Sequence, residues 1–173
     1  MLTATLAVKL LRQILQDYNY WSQSESDSAL KITRSKGLDD KDILARDAAM
    51  RKTMLVTTQT TETTPAYKAP ERRIETLSLD QVFKPLVAAS MTELQAVAGT
   101  VKTAGLKVLE SPIERVEFLV QVYSVFNQLF EAKVCYVKDG INRLPDDAYT
   151  GFFITGKTTD GQVVVAQTLL TQT

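Results

Sequence analysis

Apolar residues recur at steps of three and four through residues 3–21, where Leu6, Leu10, Leu11, Ile14, Leu15, Tyr18 and Trp21 form one stripe. That spacing predicts an amphipathic helix. The serine-rich run Ser22–Ser28 breaks the period and reads as a loop. A short strand or extended segment is expected over 29–36, ended by Gly37. A second helix is expected over 40–54. Asp39, Asp40 and Asp42 gather at its start, and Arg51 and Lys52 lie near its end, a polarity that complements the helix dipole.

Seven of the twelve residues from 53 to 64 are threonine, and Pro65 and Pro70 follow. Threonine is stiff at its branched Cβ and favours extended backbone. The stretch 53–75 is therefore read as an extended or mobile connection, poor in large apolar groups, with ordering only against a partner as the alternative.

Beyond it, Ser78 and Gln81 have capping-box spacing. Phe83, Val87, Ser90, Leu94, Val97 and Val101 then form a helical seam in which Pro85 either kinks the helix or marks its first turn. Gly105 is the expected C-terminal cap, with Leu106 packing back. Ser111-Pro112-Ile113-Glu114 predicts a capped start for a helix over 112–131. This helix is nearly all apolar from Phe118 to Phe126 and belongs in the core. Short β-prone residues occupy 134–137. The runs 149–156 and 162–170, joined by Lys157-Thr158-Thr159-Asp160-Gly161, predict a hairpin. A lone hairpin is marginal in water. It should pack on the 112–131 helix or pair with 29–36 or 134–138.

The resulting fold class is α+β: about four helices packed with a small antiparallel sheet that includes a C-terminal hairpin. The 173 residues fit a single domain, 1–173, in which 53–75 divides an N-terminal helical part from a C-terminal helix-plus-hairpin part.

Composition narrows the chemistry. The chain contains no histidine, which excludes Ser-His-Asp and Cys-His catalysis and His-containing zinc sites. Its single cysteine, Cys135, cannot form an internal disulfide and is expected to be a buried thiol. Twenty basic and twenty acidic residues cancel, although 31–73 carries a charge of +4 and the remainder −4. The balance speaks against a general nucleic-acid or anionic-membrane binder. The N-terminal segment is interrupted by Lys9, Arg12, Gln13, Gln16 and Asp17. It does not read as a signal peptide, and no uncharged run is long enough to span a bilayer. A cytoplasmic location is expected.

Gly151-Phe152-Phe153-Ile154-Thr155-Gly156-Lys157-Thr158 matches a phosphate-loop pattern letter for letter. That loop needs backbone amides curling around an anion at a helix N-terminus, whereas this match sits between two β-prone runs. Gly151, Gly156, Lys157 and Thr158 are therefore assigned to the hairpin, not to a nucleotide site. The aspartates 39, 40 and 42 read as capping groups, and Asp146-Asp147 as a solvated turn. Asn127 falls on the 113, 116, 120, 123, 127, 130 seam, where a polar residue could fix a register.

No catalytic residue, cofactor, metal or small-molecule ligand is predicted. The leading expectation is a non-catalytic structural, assembly or adaptor subunit of a multiprotein complex, a viral one included, that contacts other subunits or itself. The contact candidates are Thr57, Thr58, Thr60, Tyr67, Arg72 and Arg73 from the central connection, Lys157 at the hairpin tip, and Gln167 on the hairpin's outer edge, a natural site for strand addition. One alternative is a small-molecule-binding or enzymatic domain that uses Asp, Glu, Lys or Tyr, with Tyr136, Lys138, Asp146 and Tyr149 as convergent groups. Another is a nucleic-acid-associated subunit that uses the basic 31–73 region.

Overall fold

A computed structural model describes residues 1–24, 28–58, 71–139 and 149–171. Helix α1 spans Ala4–Asp17, strand β1 Lys31–Ser35, helix α2 Asp40–Thr58, strand β2 Arg72–Ser78 and helix α3 Leu79–Ala98. A short helix α4, Val101–Ala104, and a 3-10 turn, Leu106–Leu109, lead into helix α5, Glu110–Phe126. Strands β3, Phe130–Asp139, β4, Tyr149–Lys157, and β5, Val163–Thr171, complete the order.

The five strands form one antiparallel sheet in the order β1-β5-β4-β3-β2. The predicted hairpin is β4–β5, and its turn contains Gly161 at a φ of 75°. The hairpin meets all three expected neighbours: β1 covers β5, β3 covers β4, and α5 lies on one face. Its outer edge, residues 162–170, is therefore not open to a partner. Among the described residues the sheet's edges are β1 and β2.

Helices α1, α3 and α5 cover one face. They enclose the larger core with Trp21, Phe83, Phe118, Phe126, Phe152, Ile154 and Leu170. Helix α2 covers the other face over a smaller cluster of Ile43, Cys135, Val137, Phe153, Val163 and Val165. Adjacent residues on a strand point to opposite faces, so Phe152 and Phe153 belong to different cores.

Several local expectations hold. Ser78 and Gln81 form a reciprocal capping box, and Asp39 accepts the amide of Asp42 at 2.8 Å at the start of α2. Gly105 caps α4 at a φ of 81°. Three expectations change. Helix α1 stops at Asp17. Asn19 then holds Leu30 from both sides, receiving its amide at 2.7 Å and donating to its carbonyl at 3.2 Å, so Trp21 enters the core from a loop. Leu106 does not pack back and is 74% exposed. Ser111 is no cap: the preceding turn already has helical backbone, so α5 starts at Glu110 from an uncapped Leu109.

The expected extended connection begins as helix, because α2 continues through Thr58, and it ends as β2 from Arg72. Lengthening an existing helix is far easier than starting one, and threonine costs only a few tenths of a kcal/mol per residue. The Thr53 hydroxyl also donates to the Ala49 carbonyl at 3.1 Å, a local bond that a helical threonine can make. Residues 59–70 lie outside the described residues. The apolar α5 has two faces. Phe118, Leu119, Val122 and Phe126 are buried, whereas the seam through Ile113, Val120 and Asn127 faces outward, which leaves Asn127 an exposed helix end.

Gly151 is a point of close approach between α2 and the sheet. A Cβ there would stand 2.1 Å from Asp47 Oδ1 and 3.0 Å from Val137 Cβ. At Gly37 a Cβ would meet nothing within 4 Å. Gly151→Ala is expected to destabilise the fold by about 1–3 kcal/mol, and Gly37→Ala to stay within about 0.5 kcal/mol of the parent. Urea unfolding of the two variants measures the difference, and equal midpoints would remove the close contact from the account of α2 docking.

Candidate interaction site

Charged and polar groups converge at three places. The first is internal. Asp47 is fully buried on the sheet side of α2, and its Oδ2 receives Arg51 Nε at 2.9 Å and Arg72 Nη1 at 2.8 Å. Arg51 Nη2 also donates to the Val137 carbonyl at 3.2 Å. Asp47 and Arg51 are one turn apart, so both reach the sheet from one helix face, and Arg72 comes in from the start of β2. This cluster fastens α2 to β2 and β3. Arg46, on the same helix, donates to Thr33 Oγ1 at 2.9 Å and to Gln167 Oε1 at 3.0 Å. Much of the arginine charge of 31–73 is thus turned inward.

The second place is a groove of about 310 Å³ between α3, β2 and β3. It brings Tyr136 and Lys138 together, with Glu75, Gln23 and Gln81 around them. These groups are bonded chiefly to one another. The Tyr136 hydroxyl donates to Gln23 Oε1 at 2.9 Å, and the Trp21 indole donates to the same oxygen at 3.0 Å. Lys138 pairs with Glu75, and Gln81 Oε1 receives the Ser78 amide. Burial pushes the Tyr136 phenol up to about 12. Tyr149 stands apart at the start of β4, and Asp146 lies outside the described residues.

The third place is an open groove of about 480 Å³ between α1 and β1. Lys9 and Arg12 line it from α1 and Arg34 from β1, among Thr5, Gln13 and Gln16. All three cations are exposed, and none has an ion-pair partner among the described residues. Lys31 and Lys36 add exposed positive charge along the strand, and Asp17 is the only carboxylate in α1 or β1. β1 pairs with β5 on one side and, among the described residues, with nothing on the other. β2, at the opposite end of the sheet, carries both signs in Arg72, Arg73 and Glu75.

The sequence-derived contact candidates are scattered. Thr57 and Thr58 end α2, and Thr60 and Tyr67 lie outside the described residues. Arg72 is held by Asp47, while Arg73 is exposed on the other face of β2. Lys157 is exposed and pairs with Glu131 at 2.6 Å. Gln167 is buried in β5 and bonded to Arg46. The phosphate-loop match is extended β4 backbone: Gly151 admits Asp47, a Cβ at Gly156 would stand 2.8 Å from Leu129 Cβ, and Thr158 opens the hairpin turn. Cys135 is buried beside Thr76, and burial pushes its thiol pKa up. The α1–β1 cations were not singled out from the sequence. Their signal is the polar flank of an amphipathic helix, which becomes a groove wall only because β1 pairs with a segment more than 120 residues away.

No protein-family model matches the chain, and no curated protein matches it significantly. No helix among the described residues is long and apolar enough to cross a membrane.

Removing one partner of a buried ion cluster leaves the other charges stranded. Asp47→Ala is therefore expected to cost about 3–5 kcal/mol in urea unfolding, and a loss under about 1 kcal/mol would mean that the cluster does not hold α2 down. The Tyr136 phenol should titrate near pH 12, and ultraviolet difference titration of wild type against Tyr136→Phe isolates it. Its folded pKa lies above the unfolded value of about 10. The contribution of this proton to stability is therefore complete below pH 10 and is lost as pH rises towards 12.

Proposed function

We propose that this chain is a non-catalytic subunit or adaptor of a multiprotein assembly and that it works through protein–protein contacts made at the α1–β1 edge. The observation that carries the reading is the outer side of β1, which among the described residues has no strand partner and is flanked by exposed cations without ion-pair partners. An unpaired strand edge offers a row of backbone donors and acceptors to another chain.

Two other readings are weaker on specific grounds. A small-molecule site in the α3–β2–β3 groove would have to displace Tyr136 from Gln23 and Lys138 from Glu75. A nucleic-acid interface built on 31–73 loses Arg51 and Arg72 to Asp47, and Arg46 to Thr33 and Gln167.

In its native extract the 19.2 kDa chain is expected to elute within a larger assembly, and the Lys31→Glu, Arg34→Glu double variant to shift to the free chain. Size-exclusion chromatography with immunodetection reads both. A wild-type chain that elutes alone at every concentration would overturn the proposal.

A further inference from the structure

Resting on that reading, we infer that the α1–β1 edge accepts an extended, acidic peptide segment of a partner protein as a sixth strand of the sheet. Backbone hydrogen bonding along β1 supplies the attachment, and the cations of the groove supply the selectivity.

The register fixes which charges such a strand would meet. Arg34 lies opposite Val164 and Ile32 opposite Ala166, and both of those β5 residues belong to the core under α1, α3 and α5. Arg34 therefore projects to the α1 side, where Lys9 and Arg12 form the facing wall. Thr33 lies opposite Val165 of the other core and takes a hydrogen bond from Arg46, so it projects to the α2 side. A strand laid beside β1 alternates its side chains in the same way. Every second residue would enter a groove that, among the described residues, contains three cations and no lining carboxylate. Acidic side chains satisfy that face. Basic ones would meet like charge, which opposes pairing.

The same charges select against a second copy of this chain. Pairing β1 with another β1 would bring the two Lys31–Arg34–Lys36 sets together. Positive residues on an edge strand can also serve simply to keep other strands away. That role and strand capture predict opposite outcomes for an acidic, β-prone peptide.

The test uses the full chain, labelled heparin and three labelled ten-residue probes, all read by fluorescence anisotropy: a peptide alternating Glu with Val, its Lys-for-Glu counterpart, and the Glu peptide N-methylated at alternate amides. The Glu peptide is expected to bind at least about tenfold more tightly than either of the others. Arg12→Glu combined with Arg34→Glu should weaken it by a similar factor with the thermal melt unchanged. Equal binding of the N-methylated peptide, or tighter binding of heparin that the double variant also weakens, would overturn strand capture in favour of plain polyanion attraction. Absence of binding by the Glu peptide would assign the cations to edge protection. If that absence accompanies a wild-type chain still held in its native assembly, the peptide inference falls and the subunit reading stands. If the chain is also free in its native extract, both fall.

Discussion

The structure depends most on the burial of Trp21. Its indole is fully enclosed and lies 5.5 Å from Phe83 of α3, 6.4 Å from Phe118 of α5 and 4.5 Å from Phe152 of β4, measured between ring centroids. A buried tryptophan removes some 150–250 Å² from water, an upper-bound transfer gain of about 4–6 kcal/mol. The ring N–H does not go unsatisfied, because Gln23 accepts it together with the Tyr136 hydroxyl. Trp21 lies between α1 and β1 in the chain, so its anchoring limits where both can sit. The Asn19–Leu30 clasp then closes the connection across ten residues. The groove between α1 and β1 is thus a consequence of how the core is nailed at one aromatic side chain.

The two faces of the sheet are held by different physics. On the α1–α3–α5 face, apolar burial dominates and aromatic rings interlock. On the α2 face, the inner helix positions 43, 47 and 51 are Ile, Asp and Arg, so a small apolar cluster is joined to an ion cluster. An ion cluster costs desolvation and stabilises little relative to apolar packing, but breaking it is expensive, which favours a single seating of the helix. Gly151 permits that seating by leaving room for the Asp47 carboxylate against β4.

This division explains which features could be read from the sequence. The capping box at Ser78, the positive-φ glycines at 105 and 161, and the alternating runs of β4 and β5 are local, and their residues announce them. The ends of α1 and α5 were set by long-range or neighbouring backbone constraints, the Asn19–Leu30 clasp and a preceding helical turn, which no capping pattern encodes. Helix α2 concealed its buried face because that face is charged, so apolar periodicity could not separate Asp47 and Arg51 from solvated residues. The arginine pair 72–73 looked like one surface feature. The two-residue period of a strand instead sends one side chain to Asp47 and the other to solvent. The α1–β1 site was hidden for a related reason: its two walls are ordinary in isolation, and only the pairing of β1 with β5 leaves one of them at an edge.

The positive charge of the chain is sorted by what surrounds it. Arginines 46, 51 and 72 find oxygen partners beneath α2, and Lys84, Lys138, Lys157 and Arg115 pair with carboxylates nearby. Lys9, Arg12 and Arg34 have no such neighbour among the described residues, yet they line one groove beside unpaired backbone. Exposed ion pairs add little stability, so leaving these cations unmatched costs the fold almost nothing. In a groove flanked by a helix and a strand edge, however, their field is concentrated where an incoming chain would have to lie. Backbone pairing alone would admit many sequences. Charge fixed along one side of the pairing edge would restrict them, so under the proposed strand addition β1 would be a more selective surface than the mixed-sign edge at β2.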